Sequence, residues 1–217
     1  PNTYEGKSWE LSKEPSAYLF GNADDQEWEV DFPDYGRTFP HPFGKADSPY
    51  FTTLLTLSPA GDEIVLDFAK DLMTAESIGT DDVLDYLSIS FSSTYYVGHF
   101  FGPSSLEAEE NLHRLDRTLA ELFAFVDKKV GLDKTLVVLS ADHGGSEAPG
   151  YLQSLGIDSS YFNFEDVDKT KGIAALKAEF GVAEELIDQF FQPYFYLNRD
   201  AIAELGLDMA QVARRVA

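Results

Sequence analysis

An aspartate and a histidine stand side by side where an apolar run gives way to two glycines. The run 135–139 ends shortly before Asp142 and His143, and the glycines follow directly. Carboxylate and imidazole groups are both ligands of divalent cations, and glycine lets the backbone turn sharply. The pair therefore indicates a metal site. The alternative is that Asp142 caps the turn and His143 is an ordinary polar loop residue, and the spacing alone leaves both open.

A second segment carries another candidate ligand. His99 follows a glycine in the run 92–103, which we predict to be a loop after a strand. As a lone histidine it is either a ligand or a hydrogen-bonded loop residue. His41 lies between two prolines and His113 lies on a predicted helix, so we interpret them as packing and as helix surface.

The surrounding pattern predicts an α/β fold. Apolar and polar residues alternate over 83–91, which indicates a strand, and the continuous apolar run 135–139 is typical of a buried parallel strand. Between them an apolar stripe predicts a helix over 105–130. Strand, helix and strand form a right-handed crossover, and ligand sites in such sheets lie beyond the carboxyl ends of the strands. The stripe steps by three and four residues through Leu112, Leu115, Leu119, Leu122 and Val126.

Three segments divide the chain. Residues 1–50 are irregular and rich in aromatic residues, so we predict a cap-like segment whose aromatic side chains pack together. Residues 51–147 form the predicted α/β core with the candidate loops. Residues 148–217 continue the core or the cap. In the last segment the pattern predicts helices at 169–180 and 183–191, a strand at 194–197 and two short helices around Gly206.

The sequence marks the starts of two predicted helices. Ser58 followed by Pro59 predicts the start of a helix, as an N-cap and a first helical residue. Glu107, Glu109 and Glu110 open the long helix, where carboxylates favour the positive end of the helix dipole.

The two ends of the sequence suggest a piece of a longer protein. The chain begins at Pro1, and a helical pattern runs to its last residue with no glycine cap. We therefore expect an internal fragment. A small complete protein with missing ends is the alternative.

Composition excludes several classes of function. The chain has 38 acidic and 16 basic residues and a formal charge of −22, which argues against nucleic-acid duplexes and anionic membranes as partners. Cysteine is absent, which excludes disulfides and thiolate chemistry. A hydrophobic fraction of 44% supports a packed core, and no apolar run is long enough to span a membrane.

The ordered combination of motifs resembles the alkaline phosphatase superfamily. The runs SSTYYVGHFFGPSSLEAE at 92–109, RLDR at 114–117 and ADHGG at 141–145 carry the likeness. They are most similar to single-chain bacterial alkaline phosphatases related to type I phosphodiesterase/nucleotide pyrophosphatase. The resemblance implies a three-layer fold with a mostly parallel central sheet.

The resemblance also implies a two-zinc hydrolase of small phosphate esters. His99 would bind the first Zn²⁺, and Asp142 and His143 would bind the second. The family's Thr or Ser nucleophile would lie upstream of Pro1, so the fragment alone is expected to be inactive. Two cations would hold the phosphate and stabilise the leaving oxygen in an in-line displacement. The resemblance further implies a periplasmic or secreted protein, and the oligomeric state is left open.

The sequence departs from the family at the first zinc. Tyr95 stands where the family has an Asp ligand, and no histidine follows His143. A neutral phenol is a poorer zinc ligand than a carboxylate, so we expect the first site to be weakened. The sequence therefore leaves three hypotheses: a phosphomonoesterase, a phosphodiesterase or nucleotide pyrophosphatase, and a catalytically inactive relative or scaffold domain.

Overall fold

The computed structural model describes residues 2–161, 163–191 and 194–216 of the chain. Its contacts divide the chain into two compact units, 1–159 and 160–217. Both units contain an apolar core of their own, which explains why each is compact. The three segments expected from the sequence stay a prediction, because they divide the chain by sequence pattern rather than by contacts.

The first fifty residues contain little regular structure. A two-residue strand β1 (Ser8–Trp9) pairs antiparallel with β2 (His41–Pro42). The aromatic side chains of this segment are buried together, with Trp9 and Tyr35 each 3% exposed and Phe43 4% exposed. The core of the first unit therefore begins in an irregular segment, as the aromatic pattern of the sequence predicts.

Five helices build the rest of the first unit. They are α1 (Phe51–Thr56), α2 (Pro59–Ala75), α3 (Ser93–Phe101), α4 (Leu106–Lys129) and α5 (Pro149–Ser154). Ser58 caps α2 by accepting a hydrogen bond from the backbone N–H of Ala60, which confirms the predicted helix start. Short 3-10 turns lie at Asn2–Tyr4, Pro15–Ala17 and Leu132–Lys134.

The segment predicted as a loop after residue 91 is helix α3. The sequence contains few strong helix formers there, and aromatic residues and Gly98 disfavour a helix. Tertiary packing overrides this weak propensity, because Val97 and Phe101 are fully buried against the core of the first unit. The loop prediction was therefore wrong.

Helix α4 confirms its predicted stripe only in its second half. Leu122 and Val126 are buried at 8% and 9% exposure, but Leu112 is 55% exposed. The buried face of the first turns is polar instead, since Glu107 and Glu110 are both 0% exposed. Buried charged groups need partners, and the irregular N-terminal segment supplies them.

Of the three glutamates that open α4, Glu109 and Glu110 bind the N-terminal segment directly. The Glu109 carboxylate accepts hydrogen bonds from the backbone N–H groups of Leu19 and Phe20 at 2.9 and 3.0 Å. The Glu110 carboxylate accepts the Tyr18 hydroxyl hydrogen at an O···O distance of 2.5 Å. The helix dipole was therefore only part of the reason for these carboxylates, because they also fasten an irregular segment to a regular helix.

The third glutamate forms a buried pair with His41. His41 Nε2 lies 3.2 Å from Glu107 Oε1, and both side chains are 0% exposed. His41 Nδ1 donates to the carbonyl oxygen of Tyr35 at 3.3 Å, so Nε2 is free to accept. Burial lowers the pKa of His41 to about 4 and raises that of Glu107 to about 8. At neutral pH the protonated Glu107 carboxyl therefore donates its hydrogen to a neutral imidazole.

Neither predicted core strand forms in the structure. The segments 83–91 and 135–139 have no strand pairing, and Leu84 and Leu136 are 97% and 90% exposed. A strand needs a hydrogen-bonded neighbour, and the described residues supply none for these two segments. The predicted alternation is nevertheless visible. The partly buried side of the first segment packs on α2 and α4 through Leu87, Ile89 and Phe91.

The second unit packs helices against a hairpin. Its elements are α6 (Lys171–Phe180), β3 (Ile187–Phe191), β4 (Tyr194–Leu197), α7 (Arg199–Glu204) and α8 (Met209–Val216). A 3-10 turn lies at Phe164–Lys169, and β3 and β4 are antiparallel. The predicted strand at 194–197 and the two helices around Gly206 are confirmed.

The predicted helix at 183–191 was wrong, because β3 occupies its second half. The Asp168 carboxylate accepts from the backbone N–H groups of Leu186 and Ile187 at 3.0 and 3.1 Å. The same carboxylate pairs with Lys177 at 2.5 Å. These bonds fix the start of the strand from outside the segment, so the local sequence could not show them.

Among the described residues, no helix has both the length and the apolar character that a membrane crossing requires.

The buried Glu107–His41 pair predicts a stability that falls as the pH rises. An unfolded Glu107 ionises near its ordinary pKa of 4.5, whereas the folded one holds its proton to about 8. Rising pH therefore favours the unfolded state across this range, by at most about 1.4 kcal/mol per pH unit for one proton. His41 acts in the opposite direction only below its ordinary pKa of 6.5. Denaturant midpoints should therefore fall between pH 6.5 and 8.

Glu107→Gln should reduce this fall, because an amide can still donate to His41 but cannot ionise. Some slope should remain, since burial also raises the pKa of Glu29 to about 8. Glu121→Gln, on the exposed part of the same helix, is the matched control and should leave the slope unchanged. An equal slope in the wild type and in Glu107→Gln would show that Glu107 ionises normally in the folded protein.

Candidate functional site

The structure brings two of the predicted ligands together. The imidazole rings of His99 and His143 lie 5.5 Å apart between centroids, although they come from different segments. The Tyr95 ring lies against both, at 4.3 Å from His99 and 5.5 Å from His143. Helix α3 and the loop after residue 139 therefore form one exposed surface with three ring side chains.

Helix α3 presents its ligand candidate by simple helical geometry. Tyr95 and His99 are four residues apart and share the exposed face of the helix. Val97 and Phe101 lie on the opposite face and are buried. Burial of one face thus directs the imidazole and the phenol outward.

The start of α3 is held by α2. The Asp62 carboxylate of α2 accepts a hydrogen bond from the backbone N–H of Ser93 at 3.0 Å. Asp62 is 2% exposed, and burial raises its pKa to about 6. Gly61 permits the close approach, because a Cβ at this position would lie 2.5 Å from Ser93 Oγ. Helix α4 adds a second bond, from Asn111 Nδ2 to Thr94 Oγ1 at 2.9 Å.

The Asp142–His143 pair is held mainly by contacts within its own loop. Asp142 Oδ1 accepts from the backbone N–H of His143 at 2.9 Å, and Oδ2 lies 3.5 Å from His143 Nε2. His143 Nδ1 lies 2.9 Å from the carbonyl oxygen of Gly144, to which it donates. The two side chains are 50% and 64% exposed, for His143 and Asp142 respectively. Both are accessible to a ligand from solvent.

The donors present do not complete a metal site. Imidazole and carboxylate are the groups that zinc prefers in proteins without cysteine. In the part of the chain that the structure describes, no group of three or more His, Asp or Glu side chains is arranged to hold one ion. The Tyr95 ring lies beside both imidazoles. His99, Asp142 and His143 thus have the right chemistry and neighbouring positions, but they do not by themselves form a closed coordination sphere.

Several supporting residues were missed by the sequence interpretation. Asp62 holds α3, and Ser104 donates a hydrogen bond to Glu147 at 2.9 Å between the two candidate segments. Asp62 is far from α3 in sequence, and a glutamate five residues after Asp142 fits no ligand spacing. Only the fold brings these partners together, so the sequence carries no local signal for them.

The sequence matches one family over most of its length. The family described as type I phosphodiesterase / nucleotide pyrophosphatase matches residues 15–205. Alkaline phosphatase PafA of Elizabethkingia meningoseptica is 33% identical over 98% of this chain. Alkaline phosphatase PhoV of Synechococcus elongatus is 36% identical over 71% of this chain.

The match covers only part of each relative. The chain spans 38% of the length of PafA and 28% of the length of PhoV. A crystal structure of wild-type PafA superposes with a TM-score of 0.81 at 33% identity, covering 96% of this chain and 39% of that one. The chain therefore has the fold of the corresponding part of an alkaline phosphatase, and the α/β fold class predicted from the sequence is confirmed.

The Asp62–Ser93 bond predicts a measurable loss of stability on substitution. Asp62→Ala removes the acceptor and leaves a buried backbone N–H without a partner, which costs about 1–3 kcal/mol. The check is a comparison of denaturant midpoints for the wild type and the variant. Asp62→Asn keeps an oxygen acceptor of the same shape and is the matched control. Equal losses for Ala and Asn would show that the hydrogen bond to Ser93 does not hold α3.

Proposed function

The chain belongs to the type I phosphodiesterase / nucleotide pyrophosphatase family, and we propose that the protein containing it is a metal-dependent phosphate-ester hydrolase. The observation that supports this most strongly is the meeting of His99 and His143, whose rings lie 5.5 Å apart. The resemblance to the family implies that both positions bind metal. We further propose that the substrates are small phosphate monoesters, because PafA and PhoV are named alkaline phosphatases.

We assign three side chains of this chain to zinc in the whole protein. His99 belongs to one ion, and Asp142 and His143 belong to the other. The remaining ligands and the Thr or Ser nucleophile lie, on this proposal, in the parts of the relatives that this chain does not span. This explains why the ligand set in the described residues is incomplete. It also means that the 217 residues alone should not turn over substrate.

Bound zinc would also reconcile the negative charge of this chain with an anionic substrate. A chain with a formal charge of −22 repels an anionic phosphate ester at long range. Bound divalent cations reverse the local field at the site and would attract the phosphate there. We propose a periplasmic or secreted location on the basis of the family resemblance.

A second candidate function is supported by Tyr95. Its ring lies 4.3 Å from that of His99, at the position of a family Asp ligand. A protein that lost this carboxylate could keep the fold as a catalytically inactive relative or scaffold. A phosphodiesterase or nucleotide pyrophosphatase of the same family is the third possibility, and a comparison of substrates separates it from the phosphomonoesterase.

The first test is activity of the whole protein with bound zinc. We expect faster hydrolysis of an aryl monophosphate than of a bis-aryl phosphate. His143→Ala should lower kcat/KM at least about 100-fold, because a catalytic zinc site loses its function when one of its protein ligands is removed. Zinc content, measured by mass spectrometry, should fall in the same variant.

His113→Ala is the matched control, since His113 lies on α4 and contacts Lys13 and Tyr18 rather than the site. It should retain both zinc and activity. Unchanged activity and zinc content in His143→Ala would exclude His143 as a ligand. Faster hydrolysis of the bis-aryl phosphate would favour the phosphodiesterase.

Substitution of Tyr95 by aspartate should increase zinc affinity and activity. Tyr95→Asp restores a carboxylate four residues before His99, so the whole protein should bind its first zinc more tightly and show higher kcat. Tyr95→Phe is the control, because it keeps the ring but supplies no carboxylate. Equal zinc stoichiometry and activity in the wild type, Tyr95→Asp and Tyr95→Phe would show that this position does not contribute to the metal site.

A further inference from the structure

We infer that Glu147 is a positioning residue, which acts through Ser104 to fix the Asp142–His143 loop beside α3. This inference rests on the proposed function for its consequence, because the fixed loop is the one assigned to zinc. Glu147 lies outside the proposed ligand set, and the contacts around residues 102–105 and 145–148 support its positioning role.

A polar contact joins the two segments. Ser104 Oγ donates to Glu147 Oε1 at 2.9 Å, and both side chains are partly buried. Ser104 lies in the short connection between α3 and α4, and the next residue, Ser105, caps α4 by accepting from the backbone N–H of Ala108. The serine is thus anchored to the end of a long helix, and Glu147 ties the candidate loop to that fixed point.

Close packing supports the same docking. A Cβ at Gly145 would lie 3.1 Å from Pro103 Cγ, which is tighter than an ordinary contact. A Cβ at Gly102 would lie 3.6 Å from the Cβ of Ala148. The backbone of the candidate loop therefore runs directly along the connection between α3 and α4. Gly145, which has no side chain, permits this close approach.

The other hydrogen bonds of the candidate loop do not reach the helices. Within the described residues, the bonds of Asp142 and His143 go to each other and to Gly144. Half of the His143 side chain is exposed, and its ring contacts on α3 are those with Tyr95 and His99. The Ser104–Glu147 bond is therefore the polar contact that ties the candidate loop to the connection between α3 and α4.

The position of Glu147 also argues against a surface role. Its second carboxylate oxygen, Oε2, is buried without a hydrogen-bond partner in the described structure. A buried carboxylate oxygen without a partner is unfavourable, so packing and the bond to Ser104 must hold the side chain in place. A glutamate that served only solubility would point both oxygens into water.

The test measures zinc affinity of the whole protein by competition with a chelator. Outer residues that orient metal ligands typically change affinity about 10- to 100-fold. Glu147→Ala should therefore weaken zinc binding by at least about tenfold, and Ser104→Ala should have a similar effect. The double variant should lose no more than either single one, because both remove the same bond. Glu147→Gln should bind nearly as tightly as the wild type, since its side-chain carbonyl can still accept from Ser104.

Glu121→Ala is the matched control. Glu121 is an exposed glutamate of α4 that pairs with Lys70 of α2, and its loss should leave zinc affinity unchanged. Wild-type zinc affinity in Glu147→Ala would overturn the inference. So would a loss in Glu147→Gln equal to that in Glu147→Ala, because the hydrogen bond would then not be the cause.

A second measurement keeps this inference separate from the proposed function. Amide hydrogen exchange of residues 140–148 is measured in the metal-free protein. Glu147→Ala should raise exchange in this loop, whereas Glu147→Gln and Glu121→Ala should not. If the wild type binds no zinc but exchange follows this pattern, the proposed function fails and the positioning role stands. If exchange in Glu147→Ala equals that of the wild type, the positioning role fails whatever the metal does.

Discussion

The N-terminal end of helix α4 holds the irregular N-terminal segment against the helices of the first unit. Three of its glutamates, at positions 107, 109 and 110, bind the irregular segment that precedes the helices. Two of them are completely buried, and each has its polar partner in that segment. A stretch of fifty residues with little regular structure leaves some backbone N–H groups that need an acceptor from elsewhere, such as those of Leu19 and Phe20. Glu109 and Glu110 supply acceptors for it, Glu107 bonds His41, and the aromatic side chains of the segment supply apolar core.

The candidate site depends on the same end of the same helix. The connection before α4 contains Ser104, which bonds Glu147, and the second turn of α4 contains Asn111, which bonds Thr94 of α3. The two segments with ring side chains are therefore both tied to one rigid element. Ligands on separate segments need such support, because a metal site tolerates little error in the positions of its donors. The site lies on the surface, but its geometry is set by contacts at a helix terminus.

The sequence predicted features that depend on local interactions. Ser58 and Pro59 identified a helix start because capping involves only the residues beside it. The strands predicted at 83–91 and 135–139 do not form, because a strand is completed by a hydrogen-bonded neighbour and the described residues supply none for these segments. Helix α3 and strand β3 were missed for a related reason. Asp62 and Asp168 hold their starts from distant positions in the chain.

The candidate site was predicted in part for the same physical reason. The adjacent Asp142 and His143, and the glycines after them, are a local pattern that the sequence displays. That His99 would lie beside His143 followed only from the family resemblance and from the expected strand ends, and the contact itself is a property of the fold. Glu147 and Ser104 gave no signal, since a single hydrogen bond between distant residues has no sequence period.

The central claim is that α3 and the Asp142–His143 loop hold metal in the whole protein. The most direct test is anomalous diffraction at the zinc edge from crystals of that protein grown with zinc. We expect an anomalous peak within bonding distance of Asp142 and His143, and a weaker peak at His99 because Tyr95 replaces a carboxylate. Strong zinc peaks elsewhere in the protein, with none at these three side chains, would contradict it.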